Sequence, residues 1–148
     1  LFNPALAPTL VITTPGADPD ARRAWKEAGA EVEDVAAAPG APSFPGAVSA
    51  PPGPAVDLET ALELLGRRGI LQAMVEGGAT LHGSLLRAGL VDRIVVYMGG
   101  VVLGAEGLPM FAGPGPATLS EASRWRLAAV RQVGSDARLD WQPVQPRN

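Results

Sequence analysis

Residues 69–98 read GILQAMVEGGATLHGSLLRAGLVDRIVVYM, and the order of apolar, glycine and polar positions in this stretch decides the fold. Ile70 to Val75 is a short apolar run of the kind that forms a buried strand. Gly77 and Gly78 end it. From about Ala79 to Ala88 the pattern turns helical, with Leu81, Leu85 and Ala88 facing inward and Gly89 as the left-handed stop. Arg93 to Met98 is β-branched and apolar again, a second strand. Two strands joined by a helix-sized connection are expected to run parallel.

The same grammar extends upstream. Thr9 to Thr14 reads as a buried strand closed by Pro15-Gly16. Asp18-Pro19 is an N-cap with a first-turn proline; Ala21, Ala24, Trp25 and Ala28 follow at i, i+3, i+4, i+7, and Gly29 stops the helix. Glu31 to Val35 is a short strand. Residues 36–56 carry repeated proline and glycine, which bar helix and raise the cost of ordering, so an extended, mobile insertion is expected over 37–56. Asp57 caps a further helix with Leu58, Ala61, Leu62 and Leu65 on one face, ending around Gly66 to Gly69. Downstream, Trp125, Leu127 and Ala129 alternate with Arg124, Arg126 and Ala128, and Gly134-Ser135-Asp136 turns the chain into ARLDWQP, an antiparallel hairpin. The β-α-β-α-β-α-β order predicts an α/β class: a mostly parallel sheet with helices on both faces, finished by the antiparallel hairpin as a mixed sheet.

Bulk composition narrows the function. With 148 residues, 47% hydrophobic and 18% charged, the chain fits a single domain, 1–148. A net charge of −3 offers no field for a polyanion, so nucleic acid is not an expected partner. No apolar run approaches the roughly 20 residues of a membrane span, so no membrane association is expected either. The chain has no cysteine and one histidine, His82, which excludes thiol nucleophiles and zinc sites built from Cys and His; no metal is expected. This is compatible with a cytoplasmic location. The start, LFNPALAP, lacks an initiating Met, and the chain is expected to begin inside a longer protein.

Small-molecule ligands of open parallel sheets collect beyond the carboxyl ends of strands, where helix N-termini present unpaired N–H groups. Gly77 and Gly78 stand at such a place and let a large anion approach the backbone without meeting a Cβ. Thr80 can add a hydroxyl. A carboxylate would repel that anion, so Glu76 is expected to face a neutral or cationic part of the ligand, or sugar hydroxyls. Two phosphate motifs fail: GATLHGS, Gly78 to Ser84, has P-loop spacing without the lysine, and no G-x-G-x-x-G follows a strand. From spacing alone the plainer reading is a tight strand-to-helix turn, with Glu76 a solvated rim charge.

Gly69 to Gly113, with the ordered set EGGATL, a leucine-rich helix, GLVD, a β-branched strand, LG and GLPMF, resembles the reductase domain of the bifunctional riboflavin-biosynthesis deaminase/reductase. That domain has a three-layer, dihydrofolate-reductase-like fold. The resemblance implies an NADPH-dependent reduction of 5-amino-6-(5-phosphoribosylamino)uracil, a pyrimidine ribotide, in which hydride opens the sugar to a ribityl chain. It also implies that Gly77, Gly78, Ala79, Thr80 and Leu81 hold the cofactor pyrophosphate and that Thr13 and Thr14 lie near the adenosine ribose or its 2′-phosphate. On the same mapping Glu76 is the catalytic, substrate-facing residue, fixing ribose hydroxyls and favouring an iminium charge, and Leu103 and Gly104 border the nicotinamide or the substrate. The family carries a further N-terminal portion with substrate-contacting residues, so this chain alone is not expected to be competent. Gly99-Gly100 is more flexible than the family's usual residues there, and the absence of cysteine means that no zinc deaminase half is included.

Other residues take plainer readings. His82 reads as a surface imidazole without a role, and Asp92 as a turn former. Arg22-Arg23 and Arg67-Arg68 read as solvated helix-face charges, with a 2′-phosphate contact as the remote alternative. Trp125 and Trp141 suggest a homodimer interface. The alternative functions are a non-catalytic binding or dimerisation remnant of the fold, or another dihydrofolate-reductase-like NADPH reductase.

Overall fold

A computed structural model describes residues 7–38, 55–104 and 107–144, which fall into two compact units, Leu1–Glu76 and Gly77–Asn148. Most of the Pro/Gly-rich loop expected over 37–56 lies outside the described residues.

In the first unit β1 (Leu10–Thr13) and β2 (Glu31–Asp34) pair in parallel, Leu10 opposite Glu31 and Thr13 opposite Asp34. The helix between them, α1 (Pro19–Glu27), starts as the sequence predicts: the Asp18 side chain accepts from the Asp20 amide at 2.8 Å and proline takes the first turn. Gly29 ends it at φ +84°, a conformation that costs a glycine little. β3 (Ala37–Ala38) and β4 (Ala55–Val56) form a two-rung antiparallel ladder. α2 (Leu58–Arg67) follows, with Asp57 accepting from the Thr60 amide at 2.8 Å. That bond holds the Asp57 carboxyl below its ordinary range.

Two arginines read as solvated charges do structural work instead. Arg22 on α1 grips Asp34 through both guanidinium Nη atoms, at 2.6 and 2.7 Å. Arg68, at the end of α2, reaches Glu31 at 2.7 Å and Glu33 at 2.6 Å. Side chains alternate along a strand, so these ion pairs approach β2 from opposite faces. The Arg68 hydrogen bond lowers the Glu31 pKa. Arg23 and Arg67 do pair only locally, with Asp20 and Glu63 on their own helices.

Ile70–Val75 corrects the expected buried strand. It is irregular, with Leu71 97% and Met74 84% exposed, and among the described residues no strand pairs with it. An apolar run records suitability for burial, whereas a strand needs a neighbour, and that partner is a non-local fact.

The second unit opens with α3 (Ala79–Arg87), stopped at Gly89 with φ +66°. Its buried positions are Gly83 and Leu85; Leu81 and Ala88, expected inward, are exposed, because the helix turns its Gly83 side toward the backbone of Ala112. β5 (Ile94–Met98), β6 (Trp125–Val133) and β7 (Asp136–Pro143) form an antiparallel sheet in the order β5-β7-β6. The expected hairpin is present: Val133 opposes Asp136 across a two-residue turn in which Gly134 takes φ +62°. A bulge at Ala128 breaks the expected alternation, since Leu127 and Ala129 oppose the consecutive residues Trp141 and Asp140. Beyond it Val130, opposite Leu139, continues the apolar face that Ile94, Trp141 and Leu127 begin. The fold is therefore mixed α/β, but of the four strand pairings among the described residues one is parallel and three antiparallel, contrary to the mostly parallel expectation. With Ile70–Val75 unpaired, β5 finds its neighbour in the hairpin instead.

Candidate functional site

The expected site residues divide at the boundary between the units. Thr13 is half-buried at the end of β1, Thr14 is buried with its carbonyl accepting from the Ala17 amide at 3.0 Å, and Glu76 is the exposed last residue of the first unit. The second unit brings Gly77, Gly78, Ala79, Thr80 and Leu81 together as the entry to α3. Gly78 is its N-cap, extended at φ −71°, ψ 171°, with no side-chain cap and no acidic residue in the first turn. Helix geometry leaves the first N–H groups without an intrahelical acceptor, and here no side chain supplies one. A Cβ added at Gly78 would meet nothing within 4 Å, so the turn is open on that side. At Gly77 the same Cβ would stand 2.6 Å from Leu81 Cδ2, which shows Leu81 folded back against the glycine. The pair thus has two jobs: Gly77 admits a leucine and Gly78 leaves space.

The GLPMFAG segment is tied to this helix, a feature sequence reading missed. The Ala112 amide donates to the Ala79 carbonyl at 2.9 Å, and Arg87 Nη1 donates to the Ala112 carbonyl at 3.0 Å while Nη2 reaches Ser84 Oγ at 3.1 Å. His82, assigned no role from sequence, places its ring edge-on to Phe111 at 6.2 Å and Nδ1 3.4 Å from the Met110 carbonyl. A Cβ on Gly83 would fall 1.9 Å from the Ala112 carbonyl oxygen, an impossible approach to backbone. The signal was there in HGS, where a glycine inside a helix marks a close backbone approach. Leu103 and Gly104 are both exposed, and the Gly104 carbonyl accepts from the Gly107 amide at 3.1 Å.

A second cluster had no forewarning. Asp140, only 1% exposed, accepts from Arg93 Nη2 at 2.6 Å and Arg138 Nη2 at 3.0 Å, and the Arg138 guanidinium lies 5.8 Å from the Tyr97 ring centre. The hydrogen bond from Arg138, with that from Arg93, holds the Asp140 carboxyl below its ordinary range against the opposing effect of desolvation. Arg138 and Asp140 share a face of β7, but Arg93 comes from 47 positions away, so no local pattern announces the group. Among the described residues no group of three or more acidic or histidine side chains could hold a metal ion.

The elements and this turn define a mixed α/β chain whose third helix begins on bare backbone. The chain belongs to the RibD C-terminal domain family, whose model matches residues 1–139. It is 37% identical over 84 residues to the riboflavin biosynthesis protein RibD of Escherichia coli strain K12, a match covering 57% of this chain and 23% of that protein. To the 5-amino-6-(5-phosphoribosylamino)uracil reductase of Buchnera aphidicola it is 30% identical over 88 residues, covering 60% of this chain and 42% of the relative. Each match thus spans less than half of the curated relative. Among solved structures, Acinetobacter baumannii RibD shares the fold with a TM-score of 0.66 at 20% identity, over 91% of this chain and 37% of that one. A pyrimidine reductase-like protein from Corynebacterium diphtheriae gives 0.62 at 20% identity, over 92% and 50%.

Proposed function

We propose that this chain carries the cofactor-holding part of an NADPH-dependent reductase of 5-amino-6-(5-phosphoribosylamino)uracil in riboflavin biosynthesis. Family membership and the Buchnera aphidicola relative that bears this activity as its name support the reaction. The single observation that carries the cofactor reading is the start of α3: amides with no side-chain cap, no acid in the first turn, and open space at Gly78. A diphosphate fits that chemistry, since unpaired N–H groups and the positive helix end both favour an anion.

NADPH, when bound, supplies the hydride. The chain's own residues do the rest. The amides from Gly77 to Leu81 hold the pyrophosphate, with the Thr80 hydroxyl as an added donor. Thr13 and Thr14 serve the adenosine ribose or its 2′-phosphate. Glu76 faces the pyrimidine ribotide, fixes ribose hydroxyls, and favours the cation that develops as the ribosylamine sugar opens, an interaction stronger in the transition state than in the ground state. Leu103 and Gly104 border the reacting rings. The reading includes one three-layer, dihydrofolate-reductase-like domain, a homodimer and a cytoplasmic location; among the described residues no helix is long and apolar enough to cross a membrane.

The test is an NADPH titration of the protein that contains this chain. Gly78→Val has space in the fold. It is expected to weaken NADPH binding by roughly a hundredfold or more while circular dichroism stays native, because several amide contacts are lost together. Unchanged affinity would overturn the pyrophosphate assignment.

A further inference from the structure

The ties between α3 and the Gly107–Gly113 segment are more numerous than a surface loop needs, and two of them converge on Ala112. Ala112 gives its amide to Ala79, the first residue of α3, and its carbonyl to Arg87, the last. The loop thereby bridges both ends of the helix, and it fits only because Gly83 has no side chain. Yet the loop does not use this anchorage to bury itself: Leu108 is 80% and Met110 50% exposed. A segment clamped through its backbone, with its apolar side chains left in solvent, is arranged to present those side chains to something else. Ala79 is at once a member of the turn that meets the diphosphate and the residue that carries the loop.

We infer that Arg87 is a positioning residue: by holding the Ala112 carbonyl against Gly83 it makes the loop and the first turn of α3 one body, so that NADPH at the turn fixes the loop for the pyrimidine ribotide. The inference rests on the cofactor reading above. Its physical basis is that an anion ordering the amides of Ala79 and Thr80 also orders the Ala79 carbonyl, hence the Ala112 amide bonded to it. Arg87 touches neither ligand; it keeps the loop from swinging away when the Ala79–Ala112 bond opens. His82 against Phe111 supports the same clamp.

The experiment is hydrogen exchange of the loop peptide with and without NADPH in the whole protein, beside NADPH titration and steady-state kinetics. In the wild type NADPH is expected to slow exchange at Ala112 by about tenfold. Arg87→Ala is expected to keep NADPH affinity within about threefold, to lose that protection, and to raise the KM for the pyrimidine ribotide roughly tenfold with a smaller change in kcat. Arg87→Lys, which retains a donor, restores part of the protection. Gly83→Ala, which keeps the arginine in the chain but crowds its Nη1 and pushes the Ala112 carbonyl away, must uncouple the loop in the same manner, so the idea survives a failure of Arg87→Ala to fold. Protection and KM unchanged in Arg87→Ala or Gly83→Ala overturn it, as does a parallel loss of NADPH affinity that lysine does not rescue. If the wild type binds NADPH and the loop stays unprotected, only the coupling falls; if the wild type binds no NADPH, the cofactor reading falls with it.

Discussion

Two helices in this chain begin alike and a third does not. Asp18 and Asp57 turn their carboxylates onto the first amides of α1 and α2, whereas α3 begins on Gly78 with no side chain to offer. A capped helix satisfies a first-turn donor with its own side chain and sets a carboxylate there; an uncapped one leaves that place to a partner. On the proposed reading the contrast separates helices that hold the fold from the helix that would meet the diphosphate, and it does so by a single residue type.

The sharpest way to break the comparison is to give α3 the cap its neighbours have. Gly78→Asp should stabilise the helix by a few tenths of a kcal/mol while reducing NADPH affinity by roughly a hundredfold or more, because the new carboxylate takes the amides and repels the diphosphate. A thermal melt and a titration on the same sample decide it, and a variant that is both more stable and fully NADPH-competent would erase the distinction. Next in size is Glu76→Gln, beside the turn but outside the helix. Turnover of the pyrimidine ribotide is expected to fall about ten- to hundredfold, with NADPH affinity changed less than about twofold. Wild-type turnover would remove the substrate-side role.

The smallest effect belongs to the capped side. Asp57→Ala should lower Tm by a few degrees and leave NADPH binding untouched. It also carries a pH signature. The Asp57 carboxyl titrates below its ordinary value of 3.8 because of the Thr60 amide and hydroxyl, so its stabilising contribution is complete above that value and fades as pH falls through the lower folded one. The Tm gap between wild type and Asp57→Ala should therefore be constant above about pH 5 and narrow in acid. A gap that widened in acid would mean that the carboxylate is not the cap.

The same contrast explains what could be read in the sequence. Asp18-Pro19, Asp57, Gly29 and Gly89 act on backbone within four residues of themselves, and every one of these starts and stops is found where its chemistry puts it. Glu76-Gly77-Gly78 could be singled out for the same reason. What stayed hidden depends on distant partners. Ile70–Val75 lacks a neighbouring strand among the described residues, Ala128 is an extra residue against β7, Asp140 draws in Arg93 from 47 positions away, and Arg87 finds a carbonyl in a later loop. His82 looked idle because its ring meets Phe111, which no helical periodicity could announce.

The short β3–β4 ladder has a practical corollary. Ala38 sits opposite Ala55, so two positions with sixteen residues in the interval between them are held side by side. Loop-closure cost grows only by about 0.6 kcal/mol for each doubling of length. Added length between those two alanines therefore costs the ladder little in closure entropy, which makes the interval a natural address for a fluorescent reporter or an affinity handle.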